Sequence, residues 1–459
     1  LSQTAPTAEQ VLALAEKLDV RGPRYTSYPT VPVWGTPFPA APFERALDRL
    51  REERRRIAVY LHLPFCRSRC FYCGCNSFIT RSEQRMERYV EALALEIERV
   101  AERLAGAVQV AELHLGGGTP THLPLALLAW LLDGLETRLP AADDRSRSVE
   151  VDPRVTSDQH LRLLAQRGFR RISAGVQDLE PRVQEAVRRE YRLDDLARFI
   201  GRARAAGFTG VNVDLIYGLP LQTVASWRAT LRAVAALCPD RLACFAYAHL
   251  PDRFKHQRAI DPADLPSARA RIAMLLGAGE LLSASGYERI GLDHFALPGD
   301  PLVQAYRNGT LERSFMGYTA SAGLELLAFG CSAISELDDL YVQNVSLPEI
   351  YAARIRAGRS AIDRGHRLDD DDRYRRAVIG DLMCNLRVRL QAPRPGLEPS
   401  VPVEPAMRQM EAFVRDGLLV ENGAGYRVTE LGRLFLRNIA MPFDRYLPAA
   451  PPATFSKAV

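Results

Sequence analysis

The chain has 459 residues, 47% of them hydrophobic, enough to bury one large core and a smaller second one. Its 60 basic and 55 acidic residues leave a formal net charge of only +5, which gives no reason to expect nucleic acid or an anionic membrane as a partner. Lysine stands only at positions 17, 255 and 457, which excludes most lysine-based covalent chemistry.

No stretch approaches the length of a membrane span, and the opening LSQTAPTAEQVLALAEKL has neither the basic start nor the apolar core of a secretory signal, so the expected location is cytoplasmic. Residues 1–50 read as an N-terminal arm carrying the block RYTSYPT from Arg24. IAVYLHLPF from Ile57 is apolar, β-prone and broken by Pro64, which predicts a buried strand over Ala58–Leu63 with a loop hanging from its end. In RMERYVEALALEIERVAERL, residues Met86, Tyr89, Leu93, Ile97, Val100 and Leu104 step by three or four and form one helix face. Further strands are predicted at Glu112–Leu115, Ser148–Val151, Arg171–Ala174, Val211–Ile216 and Arg241–Tyr247, with helical stretches between them. Such repeated strand-then-helix units make a parallel sheet with right-handed crossovers, and functional residues then gather at the C-terminal strand ends. From about Arg354 the pattern turns to charged helices such as LDDDDRYRRAVIGDLM, with a small hairpin around Asn422-Gly423 and a Pro/Ala-rich LPAAPPATF near the end. The division expected is an arm over 1–50, a catalytic α/β domain over 51–353 and a mostly helical domain over 354–459.

The loop after the first strand carries Cys66-x3-Cys70-x2-Cys73. Three thiolates on one tight loop can hold three irons of a four-iron cluster and leave the fourth without a protein ligand, open for chemistry. A zinc knuckle would need a fourth ligand and a redox dithiol only two cysteines, so neither explains the three as well. A ligand at Cys75 would close the open iron, so Cys75 reads as a non-ligand. Cys238, Cys244, Cys331 and Cys384 are scattered, mostly in apolar runs, and read as reduced core residues. Gly116, Gly117 and Gly118 end a short apolar strand, where bare backbone can approach a ligand closely; turns use the same residues.

Together the cysteine loop and the GGGTPT stretch resemble the radical S-adenosylmethionine (SAM) enzymes. There the amine and carboxylate of SAM chelate the open iron of a 4Fe–4S cluster, and an electron cleaves the sulfonium to a 5'-deoxyadenosyl radical. A narrower resemblance, to the oxygen-independent coproporphyrinogen III oxidases or coproporphyrinogen dehydrogenases, runs through nearly the whole chain. It is carried by RYTSYPT, HLPFCRSRCFYCGCN from His62, GGGTPT, VEVDPR from Val149, ISAGVQD from Ile172, VNVDLIYGLP from Val211, FAYAHLP from Phe245, GLDHFA from Gly291, SFMGYT from Ser314 and RNIAMPFDRYL from Arg437. RYTSYPT is the most telling of these, because many relatives with the same cysteine loop lack it.

The resemblance implies an incomplete parallel (β/α)6 barrel with Cys66, Cys70 and Cys73 as cluster ligands. It implies SAM contacts from Gly117, Gly118, Thr119, Glu150, Gln177, Arg189, Asp214, Ile216 and Ala248, with Tyr60 and Tyr72 packed beside them. Glu150 matches the ribose-binding carboxylate and Arg189 suits the SAM carboxylate. Away from such a motif, a strand-end acid is more often a salt bridge or helix cap, and strand-end tyrosines or a lone His62 are more often core. A second SAM is implied near Phe315, Met316 and Ile334. The implied reaction turns two propionates of a tetrapyrrole, coproporphyrinogen III, into vinyls. It needs an electron donor such as a flavodoxin-like protein and an electron acceptor that the sequence does not name. A monomer is expected, with Arg24, Tyr25, Thr26 and Ser27 folding over the barrel mouth to meet a tetraanionic substrate.

The chain departs from the family's usual pattern at Val187-Arg188-Arg189-Glu190-Tyr191, at Phe315-Met316-Gly317-Tyr318-Thr319-Ala320, and in the stretches 323–326 and 328–330. A thioether at Met316 in place of an amide removes both a donor and an acceptor from the second SAM site. Two other readings therefore stay open on the sequence: a diverged paralogue that transfers a methyl or methylene group or acts on another tetrapyrrole, and a non-catalytic tetrapyrrole carrier.

Overall fold

A computed structural model describes residues 6–18, 20–389, 404–423 and 425–448. Most of LPAAPPATF and Lys457 lie outside the described residues. Six strands run parallel in chain order: β1 (Arg56–Leu63), β2 (Gln109–Gly117), β3 (Ala141–Val151), β4 (Arg171–Gln177), β5 (Gly210–Tyr217) and β6 (Arg241–Ala246). Five of the six predicted strands fall within them, and the sixth, Arg241–Tyr247, runs one residue past the end of β6.

Alternation along these strands builds two surfaces. Val59 and Leu61, Leu113 and Leu115, Val149 and Val151, Ile172 and Ala174, and Val211 and Val213 are buried in the main core, packed by Leu93, Ile97, Leu132, Leu164, Phe199 and Trp227 from the intervening helices. The residues between them are polar and face the barrel interior. Their registers align into rows: Tyr60 opposite His114, His114 opposite Ser148, Glu150 opposite Ser173, Ser173 opposite Asn212, and Gly175 opposite Asp214. The same period that fills the core therefore lines the cavity.

The helix after the cysteine loop spans Glu83–Leu104, is capped by the Ser82 hydroxyl, and buries all six residues of the predicted face. Three features exceed the sequence expectation. A seventh parallel strand, β7 (Glu325–Phe329), pairs with β1 on its free side, and Arg49 holds Glu325 through two hydrogen bonds of 2.9 and 2.5 Å. The antiparallel strands β8 (Ile334–Leu337), β9 (Leu340–Asn344) and β10 (Ile362–Arg367) then extend the sheet past residue 354. At the opposite edge, His294–Ala296 and Glu288–Ile290 continue from β6, so among the described residues the sheet has 12 strands and stays open.

After β10 comes the helix Asp370–Asn385, started by a capping box between Asp369 and Asp372. Leu419–Glu421 and Gly425–Val428 form the expected hairpin around Asn422-Gly423, joined by Arg387–Arg389. The N-terminal arm packs on this unit: Tyr25 Oη donates to Asp444 at 3.1 Å, and Arg437 Nε donates to the Pro23 carbonyl at 3.0 Å. Val11, Tyr25 and Tyr28 share one buried cluster with Val378, Leu382, Phe435 and Ile439. Two blocks from opposite ends of the sequence, RYTSYPT and RNIAMPFDRYL, thus meet.

Candidate active site

The cysteine loop is closed at its base by a short parallel pairing of Phe65–Cys66 with Phe78–Ile79. Within it, Cys73 N–H donates to the Cys70 carbonyl at 3.3 Å, a tight turn that places all three cysteines at the C-terminal mouth of the barrel. All three thiols are free. Neighbouring elements tie the loop down. Thr119 Oγ1 lies 3.5 Å from Cys66 Sγ, Arg189 Nη1 lies 3.5 Å from Cys70 Sγ, and His256 Nε2 lies 2.6 Å from the Cys73 carbonyl. Three thiolates carried on one such loop suit three irons of a four-iron cluster. Cys75 is exposed.

The glycine stretch lies directly against this loop. Gly118 N–H donates to the Leu63 carbonyl and Thr119 N–H to the Phe65 carbonyl, each at 2.9 Å. A Cβ on Gly118 would come within 2.7 Å of the Pro64 backbone, and one on Gly117, whose φ is +107°, within 2.7 Å of the His62 ring. The bare backbone therefore serves close approach of protein to protein, holding β2 on the cysteine loop.

Glu150 closes the next position. Its Oε2 accepts the Gly117 N–H at 3.1 Å and its Oε1 lies 3.4 Å from His114 Nε2, while 47% of the side chain remains open to the barrel interior. Burial works against its charge, but His114 and the Gly117 N–H outweigh it and hold the carboxyl below its usual pKa. Asp214 accepts from Ser173 Oγ at 2.8 Å and Asn212 Nδ2 at 2.7 Å; here burial dominates and raises the pKa. Arg189 donates from Nε to the Gly175 carbonyl at 3.0 Å and sits 3.3 Å from Asp152, which Arg154 also grips. Gln177 has φ +77° at the end of β4.

Tyr72 and Ile216 pack in one apolar cluster with Val183, Val187, Leu219 and Tyr247. Gln257 Nε2 joins this wall to Ala248, donating to the Tyr72 carbonyl at 3.1 Å and the Ala248 carbonyl at 3.3 Å. Tyr60 reaches His62 Nδ1 at 3.0 Å and stacks on His114. The residues expected to meet the first SAM thus surround one mouth. Ile334 lies elsewhere, at the start of β8, in an aromatic cluster of Trp34, Phe315 and Tyr341.

Two buried acceptors in the interior, Gln177 Oε1 and Asn212 Oδ1, have no hydrogen-bond partner, and Glu150 keeps lone pairs free. An amine and a ribose diol supply the donors such acceptors lack, so the cradle fits SAM. Sequence reasoning missed His114, Ser173, Asn212, His256 and Gln257. Counting back by twos along each strand, from Gly116 to His114, from Gln177 to Ser173 and from Asp214 to Asn212, could have found the three on strands.

The radical SAM superfamily model matches residues 60–234, and the HemN C-terminal domain model matches residues 368–435. The chain is 41% identical to the oxygen-independent coproporphyrinogen III oxidase of Pseudomonas aeruginosa, over 97% of this chain and 98% of that one. It is 42% identical to the protein of that name from Escherichia coli over 95% of each. The chain belongs to the oxygen-independent coproporphyrinogen III oxidase family. The solved structure of coproporphyrinogen III oxidase (HemN) from Escherichia coli, a radical SAM enzyme, superposes with a TM-score of 0.89 at 40% identity, covering 95% of this chain and 99% of that one. As a member of this family the chain is a radical SAM oxidoreductase that uses a 4Fe–4S cluster and SAM. Among the described residues no helix is long and apolar enough to cross a membrane.

Proposed function

We propose that this protein carries out the oxidative decarboxylation of coproporphyrinogen III to protoporphyrinogen IX in haem biosynthesis, converting two propionates to vinyls. The observation that carries this reading is the full-length likeness to the oxidases, arm and C-terminal unit included, around three free thiols at the mouth of a polar-lined barrel. That breadth favours neither a diverged paralogue nor a carrier.

Cys66, Cys70 and Cys73 would hold the cluster. When bound there with SAM, it supplies the one-electron reduction that generates a hydrogen-abstracting radical. The chain's own residues orient and shield. Glu150 takes the ribose diol, Gln177 and Arg189 take the amine and carboxylate of SAM, and Asp214 with Asn212 extends the polar wall. Tyr60, Tyr72, Ile216 and Ala248 flank the adenosine, and Gly117, Gly118 and Thr119 fix β2 against the cysteine loop. Placing the reacting atoms at van der Waals distance in a site that excludes water is what favours hydrogen abstraction over side reactions. A second SAM at Phe315, Met316 and Ile334 is not needed for this assignment. The remaining proposals are a flavodoxin-like electron donor, a separate electron acceptor, a monomeric state and a cytoplasmic location.

Anaerobic turnover of the reconstituted protein with coproporphyrinogen III, SAM and a one-electron reductant tests the function. A divinyl product is expected. 5'-Deoxyadenosine without decarboxylation would point to a paralogue, and tetrapyrrole binding without SAM cleavage to a carrier.

A further inference from the structure

Beside the SAM-facing mouth, at the end of β6, separate segments bring arginines to one place. Arg24 of the arm donates from Nη2 to the Ala246 carbonyl at 3.2 Å. Arg313, on the strand Glu312–Ser314, donates from Nη1 to the Arg24 carbonyl at 3.1 Å, with its guanidinium 5.2 Å from the Tyr318 ring centre. Arg437 of the C-terminal unit donates to the Gly22 and Pro23 carbonyls of the same arm. Arg289 donates from Nη2 to the Leu292 carbonyl at 3.2 Å, and its buried Nε has no hydrogen-bond partner.

These charges act on common neighbours: Arg24 and Arg289 on the Tyr217 hydroxyl, Arg24 and Arg313 on Asp293. Burial, reinforced by Arg433, pushes Arg289 down to about 10. Among the described residues, the carboxylates that act on Arg289 and Arg313 are Asp293 and Glu430. Asp293 is already 2.8 Å from His294, and Glu430 is 3.2 Å from Arg433. Guanidiniums outnumber carboxylates here, and like charges drawn together out of water are costly until an anion joins them.

We propose that Arg24, Arg289 and Arg313 form a carboxylate subsite that anchors the propionates that the reaction leaves intact; this rests on the coproporphyrinogen reading above. Planar guanidiniums suit carboxylates bidentately, and the subsite lies two residues from Ala248, next to the SAM pocket. A reacting propionate must give up its carboxylate as carbon dioxide. Holding that carboxylate in several charge-assisted bonds would stabilise the ground state and oppose its departure. Anchorage on the retained pair carries no such penalty.

Fluorescence titration of the anaerobically reconstituted holoenzyme with protoporphyrin IX, which keeps two carboxylates, and with its dimethyl ester tests this. The acid is expected to bind at least about tenfold more tightly than the ester. Arg289→Gln and Arg313→Gln should each cost about ten- to a hundredfold in affinity for the acid and less than about twofold for the ester, with Arg103→Gln on the outer surface as the reference. Equal affinity of the unmodified enzyme for acid and ester overturns the subsite without requiring any variant to fold. Variants that lose coproporphyrin III but keep protoporphyrin IX would place the reacting propionates there and overturn the assignment. A clear acid preference in an enzyme that cannot decarboxylate coproporphyrinogen III would support the subsite and refute the substrate reading.

Discussion

Replacing Glu150 by Gln preserves volume while removing the one charge that faces both Gly117 and the open interior. The carboxylate spends one oxygen on the Gly117 N–H at 3.1 Å and places the other 3.4 Å from His114, yet 47% of its side chain is free to meet a ligand. Two bonds from a ribose diol to an ionised acceptor are worth about 1.5–3 kcal/mol each, against about 1 kcal/mol to a neutral one. Allowing for solvent, the amide forfeits about 2 kcal/mol, which is roughly a thirtyfold weaker Kd for SAM. Folding loses at most one strengthened bond to Gly117, about 1 kcal/mol, so the variant should purify with its iron. Anaerobic titration calorimetry with SAM, alongside iron analysis, provides the measurement. An unchanged Kd in a fully iron-loaded variant would refute the placement of the ribose at Glu150.

Changing Cys66, Cys70 or Cys73 to Ala should abolish iron retention and SAM cleavage, whereas the exposed Cys75→Ala should retain iron; equal loss in both would overturn the ligand assignment. Met316→Gln should leave SAM stoichiometry and product unchanged apart from a small packing effect, and a gain of one bound SAM would show that the thioether had closed a second site. Glu336 has an oxygen without a hydrogen-bond partner, and burial raises its pKa from 4.5 to about 7. Its folded pKa lies above the unfolded one, so its stability contribution is complete below pH 4.5 and lost as pH rises through about 7, by at most about 3 kcal/mol. Thermal melting of Glu336→Gln should therefore show a smaller drop between pH 5 and 8 than the unmodified chain; an identical drop would assign the titration elsewhere.

The sequence displays the barrel because one period serves two ends. Leu113 and Leu115 alternate with Glu112, His114 and Gly116, so the pattern that marks a half-buried strand also marks its cavity-facing side. The cysteine spacing is local and legible for the same reason. β7 is not, because Glu325–Phe329 is buried at every position and so short that no period separates strand from helix. β10 is hidden by its charged, edge-strand composition, IDRGHR. Contacts such as Tyr25 with Asp444 and Arg437 with Pro23 join residues over 400 positions apart, and no local signal encodes that pairing. The glycines were legible as a close approach, but the approaching groups, His62 and the Pro64 backbone, came from the fold.

Hydrogen abstraction at a propionate is the central claim, and isotope transfer reports it directly. With coproporphyrinogen III deuterated at the β-carbons of its propionates, the 5'-deoxyadenosine recovered from anaerobic turnover should carry deuterium, in step with the appearance of vinyl groups. Deuterium-free 5'-deoxyadenosine accompanying normal vinyl formation would contradict the account.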